Sequence, residues 1–482
     1  MTVDPFSARS GGSASERLGQ KLDSIPFSAY HLGLILVLGL VGFVEGYNLA
    51  LSGPLIVLAK TPLHMTAGEI RFLAISPALT LVIGGFIASA ISDHVNRKAI
   101  IQIGLIETTF FTLLIPVAQS TSELLVIRLL TGIGLGFAVF APYPIAAELM
   151  PAQHRRTYGA IYEIILACAF TLLPFLSLLF AHSPNGFRLI ALPGGLALFI
   201  VPALVHFVIP QSPRWQLRKG HIEAAVDTVN RIIHRCGNRV PPLMVAELGH
   251  NLEGVREELP PYSALFARGQ LRWTAVGAIT LTAQSIAYYL VAFLLPKALV
   301  DQGAAVRMSF GISTLIFFAT IPGKAFIGYL MEAIGRRWTI LYALAGGLPG
   351  LVLMMSAHLA GAYAPLAMSV GGALTGFTVL SCPAATRVYL SEQFPTALRG
   401  RGHIFGEAFS RAFAAVAAPF LMEPHTASPF IFFGTMILVV LVGAFLPILL
   451  GKETVGQIEL LAAEIAKPLE RREALRVGKS RA

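Results

Sequence analysis

Six ionisable residues lie inside apolar stretches that are long enough to cross a lipid bilayer. They are Glu45, Glu107, Arg128, Glu163, Lys324 and Arg411. A charged side chain at the centre of a bilayer costs at least about 2.5–3.5 kcal/mol on insertion scales, so each of these residues is expected to have a partner or a function. A carboxyl group in such a site can take up and release a proton, and a lysine or arginine can bind an anion. These residues therefore suggest proton binding combined with anion binding.

Glu45 lies near the middle of the first apolar stretch, in the string Gly-Phe-Val-Glu-Gly-Tyr-Asn. Asn48 follows about one helical turn later, so the two side chains share a helix face. A lone carboxyl group in a nonpolar site can change its protonation state in the physiological range. Glu45 is therefore a candidate for coupling to protons.

Lys324 lies about halfway along the eighth apolar stretch, too deep for its side chain to reach water easily. It needs either a carboxylate partner or an anionic ligand. Arg411 lies similarly deep in the eleventh stretch, but Glu407 precedes it by four residues on the same helix face and could neutralise it. Lys324 is thus the better candidate for binding a substrate anion, and pairing with Glu45 or Glu163 is the alternative.

Polar and aromatic residues in other stretches complete the candidate ligand site. Glu163 is expected either to face inward in the fifth stretch or to pair locally near its cytoplasmic end. Tyrosines beside a cation suit a planar carboxylate, although tyrosines more often serve in helix packing. We expect substrate contacts from Tyr47, Asn48, Tyr162, Glu163, Gln284, Tyr288, Tyr289, Lys324 and Arg411.

Composition places most of the chain in lipid. Of the 482 residues, 55% are hydrophobic and 13% are charged, whereas a soluble protein carries about 25% charged residues. This excludes a soluble enzyme, a nucleic-acid-binding protein and a disordered scaffold. The net charge of +10 comes from basic residues at the ends of apolar segments, where cytoplasmic membrane loops carry them.

The apolar pattern predicts an all-α membrane protein with twelve transmembrane helices, since one helix needs about 20 apolar residues. Basic residues concentrate in the loops on one side, which predicts that both termini are cytoplasmic. The predicted helices cover 31–57, 70–92, 98–118, 122–147, 158–182, 187–209, 272–297, 308–331, 337–358, 363–390, 402–422 and 428–450.

These helices form two bundles of six. The predicted organisation is a cytoplasmic N-terminal tail (1–30), a first bundle (31–209), a cytoplasmic linker (210–271), a second bundle (272–450) and a cytoplasmic C-terminal tail (451–482). The first 25 or so residues lack the apolar core of a signal peptide, and we expect them to be disordered. The linker contains apolar residues at helical spacing, which predicts short amphipathic helices at the membrane surface.

The two bundles repeat each other in sequence. An E-x-x-P-x-x-x-R string begins at Glu148 and again at Glu392, and Glu163 corresponds to Glu407. After the second and the eighth predicted helix, an acidic residue is followed four and five residues later by two basic ones: Asp93 by Arg97 and Lys98, and Glu332 by Arg336 and Arg337. Two six-helix repeats are typical of transporters that move about a central site.

The repeated loop charges could form breakable contacts that hold the cytoplasmic side shut. Each surface ion pair is worth about 0–1 kcal/mol, so a network can favour one conformation without locking it. The alternative is that the basic residues serve only to orient the chain in the membrane. The candidate gating residues are Asp93, Arg97, Lys98, Glu148, Arg155, Glu332, Arg336, Arg337, Glu392 and Arg399.

These motifs resemble those of the major facilitator superfamily along the whole chain. The string Gly328…Glu332…Gly335-Arg336-Arg337 fits the loop motif G-x-x-x-D-x-x-G-R-R, whereas the first copy has Ser89 and Asn96 in place of glycines. The strings R-L-L-T-G-I-G-L-G from Arg128 and Q-S-P-R-W from Gln211 are similar to two further family motifs. The loops resemble those of the sugar-porter, organic-ion and aromatic-acid/proton-symporter branches.

The resemblance implies that Arg128 pairs with Glu45 as the proton-coupling residues. Pairing would keep the carboxylate ionised and loss of the pair would favour its protonation, which makes a proton switch. A permanent structural ion pair is the alternative. The aromatic-acid symporters tend to carry a second acid where this chain has Asn48, so uniport also remains open.

We therefore expect a secondary transporter that moves a small organic anion, an aromatic or heteroaromatic carboxylate, by proton symport with alternating access. A sugar, polyol or organic-cation transporter of the same fold and a non-transporting receptor are the alternatives. Neither a metal cluster nor a nucleophile–base constellation is apparent in the sequence, so an enzyme is not expected. We expect no cofactor or metal beyond the coupling proton, no nucleic-acid partner and a monomer in the cell membrane, the inner one if the source is a Gram-negative bacterium.

Overall fold

The computed structural model describes most of the chain as α-helix. The described residues are 14–91, 95–139, 142–151, 154–248, 262–267, 269–394, 396–422, 425–451 and 453. The side chains of Arg155 and Arg399 fall outside this description, as does the whole of Asp93.

The first half of the chain forms eleven helices among the described residues. They are α1 (Ala14–Ser24), α2 (Ala29–Ala50), α3 (Ser52–Ala59), α4 (Ala67–Ile91), α5 (Arg97–Leu114), α6 (Thr121–Val139), α7 (Pro142–Leu149), α8 (Arg155–Phe180), α9 (Gly186–Leu189), α10 (Leu192–Leu196) and α11 (Val201–Val208).

The remaining helices belong to the linker and the second half. They are α12 (Pro213–Arg218), α13 (Ile222–Arg235), α14 (Leu271–Tyr289), α15 (Leu295–Asp301), α16 (Val306–Ala333), α17 (Arg336–Ala345), α18 (Leu348–Ser356), α19 (Ala364–Phe377), α20 (Pro383–Glu392), α21 (Thr396–Met422) and α22 (Pro429–Leu450). Short 3-10 helices and a π-helical segment cover Ile115–Val117, Ala197–Phe199, Val245–Leu248, Tyr262–Phe266, Leu290–Leu294, Ala357–Tyr363 and Val379–Ser381.

Ten helical segments of the described residues are long and apolar enough to cross a membrane. One of them, Arg336–Glu392, is 57 residues long, and its course is interrupted at Ala357–Tyr363, where Gly361 has a positive φ of 54°. The charged helix α21 is 27 residues long and is not among the ten. The prediction of a multi-pass helical membrane protein is confirmed, while the count of twelve stays a prediction.

The same helix pairings recur in the two halves. In the first half α2 packs on α8 and α4 packs on α6, and in the second half α14 packs on α21 and α16 packs on α19. The halves meet where α8 contacts α16 and where α4 contacts α21. These two interfaces correspond under the repeat, which places α8 and α16 on either side of the contact between the halves.

Glycines allow equivalent helix pairs to approach closely. A Cβ atom on Gly84 of α4 would lie 2.1 Å from the carbonyl oxygen of Ile133 in α6, and one on Gly376 of α19 would lie 2.1 Å from that of Ile316 in α16. Only a hydrogen atom fits at such a contact, which is the usual reason for small residues between membrane helices.

The two copies of the loop motif begin their helices differently. Gly335 has a φ of 87° before α17, a conformation that favours glycine. Asn96, at the corresponding position, has an extended conformation, and its side chain accepts a hydrogen bond of 2.9 Å from the backbone N–H of Lys98. Asparagine thus replaces glycine where it serves as the N-terminal cap of α5.

The N-terminal segment and the linker both contain helices among the described residues. Helix α13 is amphipathic and buries Ala225, Val229, Ile232 and Ile233, while the position of the linker at the cytoplasmic membrane surface stays a prediction. Helix α1 buries Leu18 among other residues and packs on α7 and α12. The expectation of disorder is therefore wrong for residues 14–24, because an apolar face of this helix finds a packing partner.

Candidate functional site

A continuous chain of six charged side chains crosses the contact between the two halves. Three are carboxylates and three are cations, and each is bonded to its neighbour in the series Lys324, Glu163, Arg387, Glu407, Arg411 and Glu45. Glu45 lies on α2 and Glu163 on α8 in the first half, while the other four lie on α16, α20 and α21 in the second.

Glu163 is held by two cations from the opposite half. Lys324 Nζ lies 2.7 Å from Glu163 Oε2 and 3.0 Å from the Glu163 backbone carbonyl oxygen. Arg387 Nη1 donates to the other carboxylate oxygen, Oε1. Glu163 therefore faces the second half, which is the first of the two arrangements expected for it. Lys324 makes the ion pair that was the alternative to anion binding.

Glu407 and Arg411 continue the chain on α21. Arg387 Nε donates to Glu407 Oε1 at 2.7 Å, and Arg411 Nε donates to Glu407 Oε2 at 3.1 Å. The latter bond is the intrahelical pair that the four-residue spacing predicts. Arg387 thus bridges one carboxylate from each half.

Glu45 closes the chain and does not pair with the expected arginine. Arg411 Nη1 lies 2.9 Å from Glu45 Oε1, and the hydroxyl of Tyr162 donates to Glu45 Oε2 at 3.0 Å. Arg128 is fully buried, and its Nη2 donates instead to the Asn48 carbonyl oxygen at 2.8 Å and to Ser52 Oγ at 2.9 Å. The Glu45–Arg128 pair implied by the resemblance is therefore absent from the described contacts.

The charges are divided unequally between the halves. The first half contributes two carboxylates and so a charge of −2, whereas the second contributes three cations and one carboxylate and so a charge of +2. Five of the six residues are at most 8% exposed, and the side chain of Arg387 is 19% exposed. Buried opposite charges attract strongly because little water screens them, so this arrangement holds the halves together.

A cavity of about 50 Å³ lies beside the ion chain, which is room for a few water molecules. Its walls come from both halves. They are formed by Glu45, Leu49, Glu163, Leu166, Phe170, Gln284, Ser285, Tyr288, Tyr289, Lys324, Pro383, Arg387, Glu407 and Arg411.

Aromatic rings pack beside the charges at this cavity. The centroid of Phe170 lies 5.0 Å from that of Tyr288, with the rings perpendicular, and 5.4 Å from that of Phe317. Phe170 follows Glu163 by seven residues, and Phe317 precedes Lys324 by seven. Residues seven apart share a helix face, so α8 and α16 each present an aromatic ring and a charge to the contact between the halves.

Most of the predicted ligand-site residues meet here, but two do not. Glu163, Gln284, Tyr288, Tyr289, Lys324 and Arg411 line the cavity, and Tyr162 contacts Glu45. The hydroxyl of Tyr47 instead donates to the Ile190 carbonyl oxygen at 2.7 Å, and the Asn48 amide oxygen accepts from Thr112. Tyr47 and Asn48 therefore face the interior of the first half, because their helix turns them toward α5 and α9.

Seven of the fourteen residues that line the cavity were not predicted as site residues: Leu49, Leu166, Phe170, Ser285, Pro383, Arg387 and Glu407. Arg387 was detectable, since it is a basic residue within the predicted tenth helix, as Lys324 is within the eighth. Phe170 and Ser285 carry no comparable signal, because phenylalanine and serine are common in membrane helices that have no ligand.

In the first half, the candidate gating residues contact that half and the linker that follows it. Glu148 accepts from Arg97 at 3.5 Å, from Ser212 Oγ at 2.7 Å and from the backbone N–H of Arg214 at 2.8 Å. Lys98 Nζ donates to the His206 carbonyl oxygen. The segment that follows α11 is thus attached to the end of α7.

The second half has a corresponding contact. Arg336 donates to both oxygens of Glu392 at 3.1 Å, and the backbone N–H groups of Arg336 and Arg337 donate to Glu453 at 3.0 and 3.2 Å. These described contacts also stay within one half, so gating between the halves remains a prediction. The same holds for Glu332, and the relevant parts of Asp93, Arg155 and Arg399 lie outside the described residues.

Comparison with known proteins shows the family. Residues 34–459 match the model of the family described as sugar (and other) transporter. The chain is 24% identical to the niacin transporter NiaP of Acinetobacter baylyi over 446 residues, which are 91% of this chain and 98% of that protein. It is also 24% identical to the gallate transporter of Pseudomonas putida over 387 residues, 79% of this chain and 82% of that one.

Solved structures show the same fold. The partially occluded, inward-open structure of the xylose transporter XylE from E. coli superposes with a TM-score of 0.69 at 17% identity, covering 89% of this chain and 99% of that one. A crystal structure described as the D-xylose-proton symporter gives a TM-score of 0.66, also at 17% identity and with the same coverage. The chain is therefore a multi-pass membrane transporter rather than an enzyme, and it belongs to the sugar (and other) transporter family of the major facilitator superfamily.

Proposed function

We propose that this protein transports a small organic anion, an aromatic or heteroaromatic carboxylate, together with a proton. The observation that carries the proposal is the ion chain of three cations and three carboxylates between the halves. A ligand at this place contacts both halves and can therefore bias their relative movement.

Charge balance connects the anion to the proton. The six charges sum to zero, so an added carboxylate leaves an uncompensated negative charge in a buried site. Such a charge is costly, and the cost disappears when one glutamate takes up a proton in the same step. The cations belong to the second half, and two of the three carboxylates belong to the first. The anion is therefore expected to bind to the second half and the proton to the first.

The aromatic lining supports a ring-bearing substrate. Phe170 and Tyr288 line the cavity beside Glu163 and Lys324, so a planar ring could pack on them while its carboxylate reaches the cations. Two relatives, named as a niacin transporter and a gallate transporter, support the same substrate class, because both names denote aromatic ligands with a carboxylate.

A sugar or polyol is the second candidate substrate. Gln284 lines the cavity, and its amide nitrogen has no hydrogen-bond partner among the described residues. A hydroxyl group of a ligand could accept that hydrogen bond. A sugar would need more such donors and acceptors than this cavity offers, because unpaired buried polar groups are costly.

We further propose twelve membrane crossings with both termini in the cytoplasm. Counting Arg336–Glu392 as two crossings, divided at Gly361, and adding α21 to the remaining segments gives this number. We expect a monomer that needs no cofactor besides the proton, in the inner membrane if the source is Gram-negative. Reporter fusions to each terminus that are active only in the cytoplasm test the topology, and light scattering of the purified protein tests the monomer.

Ligand binding is tested first by thermal shift of the purified full-length protein. The panel contains nicotinate, gallate, succinate, xylose and choline, with nicotinamide as the control that lacks a carboxylate. A ligand at 100 times its dissociation constant stabilises the protein by about 2.7 kcal/mol, which is measurable. We expect stabilisation by nicotinate or gallate and none by nicotinamide. Stabilisation by xylose or choline alone would show that the substrate class is wrong.

Coupling is tested by uptake of radiolabelled ligand into proteoliposomes. We expect an acidic exterior to drive accumulation of the carboxylate and a protonophore to abolish that accumulation. Equilibration without accumulation at any pH gradient would show uniport instead.

A further inference from the structure

We propose that the substrate carboxylate binds to Lys324 and Arg387 in place of the Glu163 side chain, and that the displaced Glu163 takes up the coupled proton. This inference rests on the proposed function. In this inference, Lys324, Arg387 and Glu163 together form the anion site, the proton site and a contact between the halves.

The geometry around Glu163 is that of a carboxylate site that is already filled. Its two oxygens are bonded to two cations on different helices, Lys324 on α16 and Arg387 on α20. A substrate carboxylate has the same two oxygens and the same charge, so it can accept both contacts. Neither cation needs to find a new kind of partner.

Lys324 depends on this carboxylate more than the other cations do. Among the described residues, its ammonium group contacts one acidic side chain, that of Glu163, together with the Glu163 backbone carbonyl oxygen. Arg387 and Arg411 each contact Glu407 in addition to a carboxylate of the first half. A bound anion therefore gains the most electrostatic stabilisation beside Lys324, whose charge the fewest other carboxylates compensate.

Glu45 is a weaker candidate for the proton site. In the part of the chain that the structure describes, it is bonded to one cation, Arg411, and its second oxygen accepts from the hydroxyl of Tyr162. An anion that displaced Glu45 would gain a single cation. Displacing Glu163 gives the anion two cations and leaves a buried carboxylate whose uncompensated charge favours protonation.

The surroundings of Glu163 contain charged and titratable groups from several elements. Lys324 and Arg387 face it from α16 and α20. Further described groups that interact with it or with Lys324 include Tyr158 on its own helix, Tyr288 on α14 and Glu45 on α2. The remaining members of the ion chain, Glu407 and Arg411, act on it through Arg387. No covalent bond changes in the exchange. One proton from solution binds the Glu163 carboxylate as one substrate carboxylate binds the cations, and the net charge of the cluster stays at zero.

The exchange also changes the connection between the halves. Both contacts of Glu163 join the first half to the second. When the substrate takes over Lys324 and Arg387, those cations become satisfied within the second half and the protonated Glu163 no longer attracts them. Binding would therefore release two of the three ion pairs that join the halves among the described residues, and Glu45–Arg411 would remain.

The experiment measures nicotinate binding to the purified full-length protein by calorimetry between about pH 6 and about pH 8, well above ordinary carboxyl pKa values. Gallate replaces nicotinate if the thermal-shift panel selects it. If one proton binds with the ligand, the affinity of the wild type rises about tenfold for each pH unit of acidification. A pH-indicator dye in weak buffer should show one proton taken up for each ligand bound.

Three variants locate the proton. In Glu163→Gln we expect ligand binding that no longer depends on pH and no proton uptake, since the amide cannot titrate. Glu407→Gln is the matched control, because it removes the corresponding glutamate of the other repeat and also a partner of Arg387. Glu45→Gln tests the other proton site. Both control variants also remove a negative charge from the cluster, so their pH slope should be shallower than tenfold. We still expect them to take up a proton on ligand binding, because the ligand displaces Glu163 from both of its cations.

A double variant tests the same inference if Glu163→Gln does not fold. The double variant Glu163→Gln/Lys324→Gln removes a neutral pair, and such removals are tolerated better than removal of one partner. We expect it to bind nicotinate through Arg387 at least tenfold more weakly than wild type and without proton uptake.

The outcomes separate this inference from the proposed function. A pH-dependent affinity and proton uptake that persist in Glu163→Gln, or in the double variant, overturn the inference alone. Loss of proton uptake in Glu45→Gln and not in Glu163→Gln assigns the proton to Glu45 and overturns it as well. A wild type that binds carboxylates without taking up protons overturns both the inference and proton symport. A wild type that binds no carboxylate overturns the proposed function, and the inference falls with it.

Discussion

Replacing Glu163 with glutamine should destabilise the protein more than the same replacement at Glu45 does. Glu163→Gln leaves the buried Lys324 without the acidic side chain that it contacts in the described structure, and removing one partner of a buried ion pair costs about 3–5 kcal/mol. We expect the lower end of that range, because the glutamine carbonyl and the Glu163 backbone carbonyl oxygen can still accept hydrogen bonds from the ammonium group.

The matched change at Glu45 is milder for a structural reason. Its cation, Arg411, keeps the bond of 3.1 Å to Glu407 after Glu45→Gln. The loss is then that of one hydrogen bond between charged groups, about 1.5–3 kcal/mol. The two substitutions are chemically identical, so a difference between them reports the partners and not the substitution itself.

Unfolding of the purified proteins in mixtures of mild detergent and dodecyl sulfate measures both changes. The variant Lys324→Gln/Glu163→Gln should regain most of the stability that Glu163→Gln loses. A saturating aromatic carboxylate should also stabilise Glu163→Gln more than wild type, since the anion replaces the missing charge. The reasoning is refuted if Glu163→Gln lowers the free energy of unfolding less than Glu45→Gln does. It is also refuted if Lys324→Gln/Glu163→Gln is as unstable as Glu163→Gln.

Three further changes test the packing, the first-half contact and the anion site. Gly376→Val places a Cβ atom 2.1 Å from the Ile316 carbonyl oxygen and should cost about 1–3 kcal/mol in the same unfolding assay; an unchanged midpoint would contradict the close approach. Glu148→Gln weakens the contact to Ser212 and should speed proteolysis of the segment that follows the sixth helix, whereas equal cleavage of variant and wild type would count against the contact. Arg387→Gln removes a cation of the anion site and should weaken carboxylate binding at least tenfold in calorimetry; undiminished affinity would place the anion elsewhere.

The fold was predictable because its signals are strong and redundant. Apolar length, basic loops and the repeat of Glu148 and Glu392 each indicate a two-bundle membrane protein. The structure bears out the repeat in its helix pairings, α2 on α8 and α14 on α21. Helix α1 escaped prediction because a short helix with few apolar residues resembles a disordered tail until its packing partner is known.

The members of the site were more predictable than their pairings. A charge within an apolar helix is visible in the sequence, and this criterion finds Glu45, Glu163, Lys324 and Arg411. Pairing depends on the rotation of each helix and on the distance between helices, which the sequence does not state. Arg411, and not Arg128, therefore proved to be the partner of Glu45.

The repeat itself explains why the site cannot be derived from symmetry. Duplication preserves the backbone and the loop motifs, and it matches Glu163 with Glu407, yet these two carboxylates have different roles. Glu407 bonds within its own half to Arg387 and Arg411, whereas Glu163 reaches across to Lys324 and Arg387. The difference arises because the basic members of the ion chain lie on one side only. Opposite net charges on the two halves attract each other in this structure, and a further anion would leave a buried negative charge without a partner. Under the proposed function, proton uptake by Glu163 removes that charge, and we therefore propose that proton uptake and anion binding occur together.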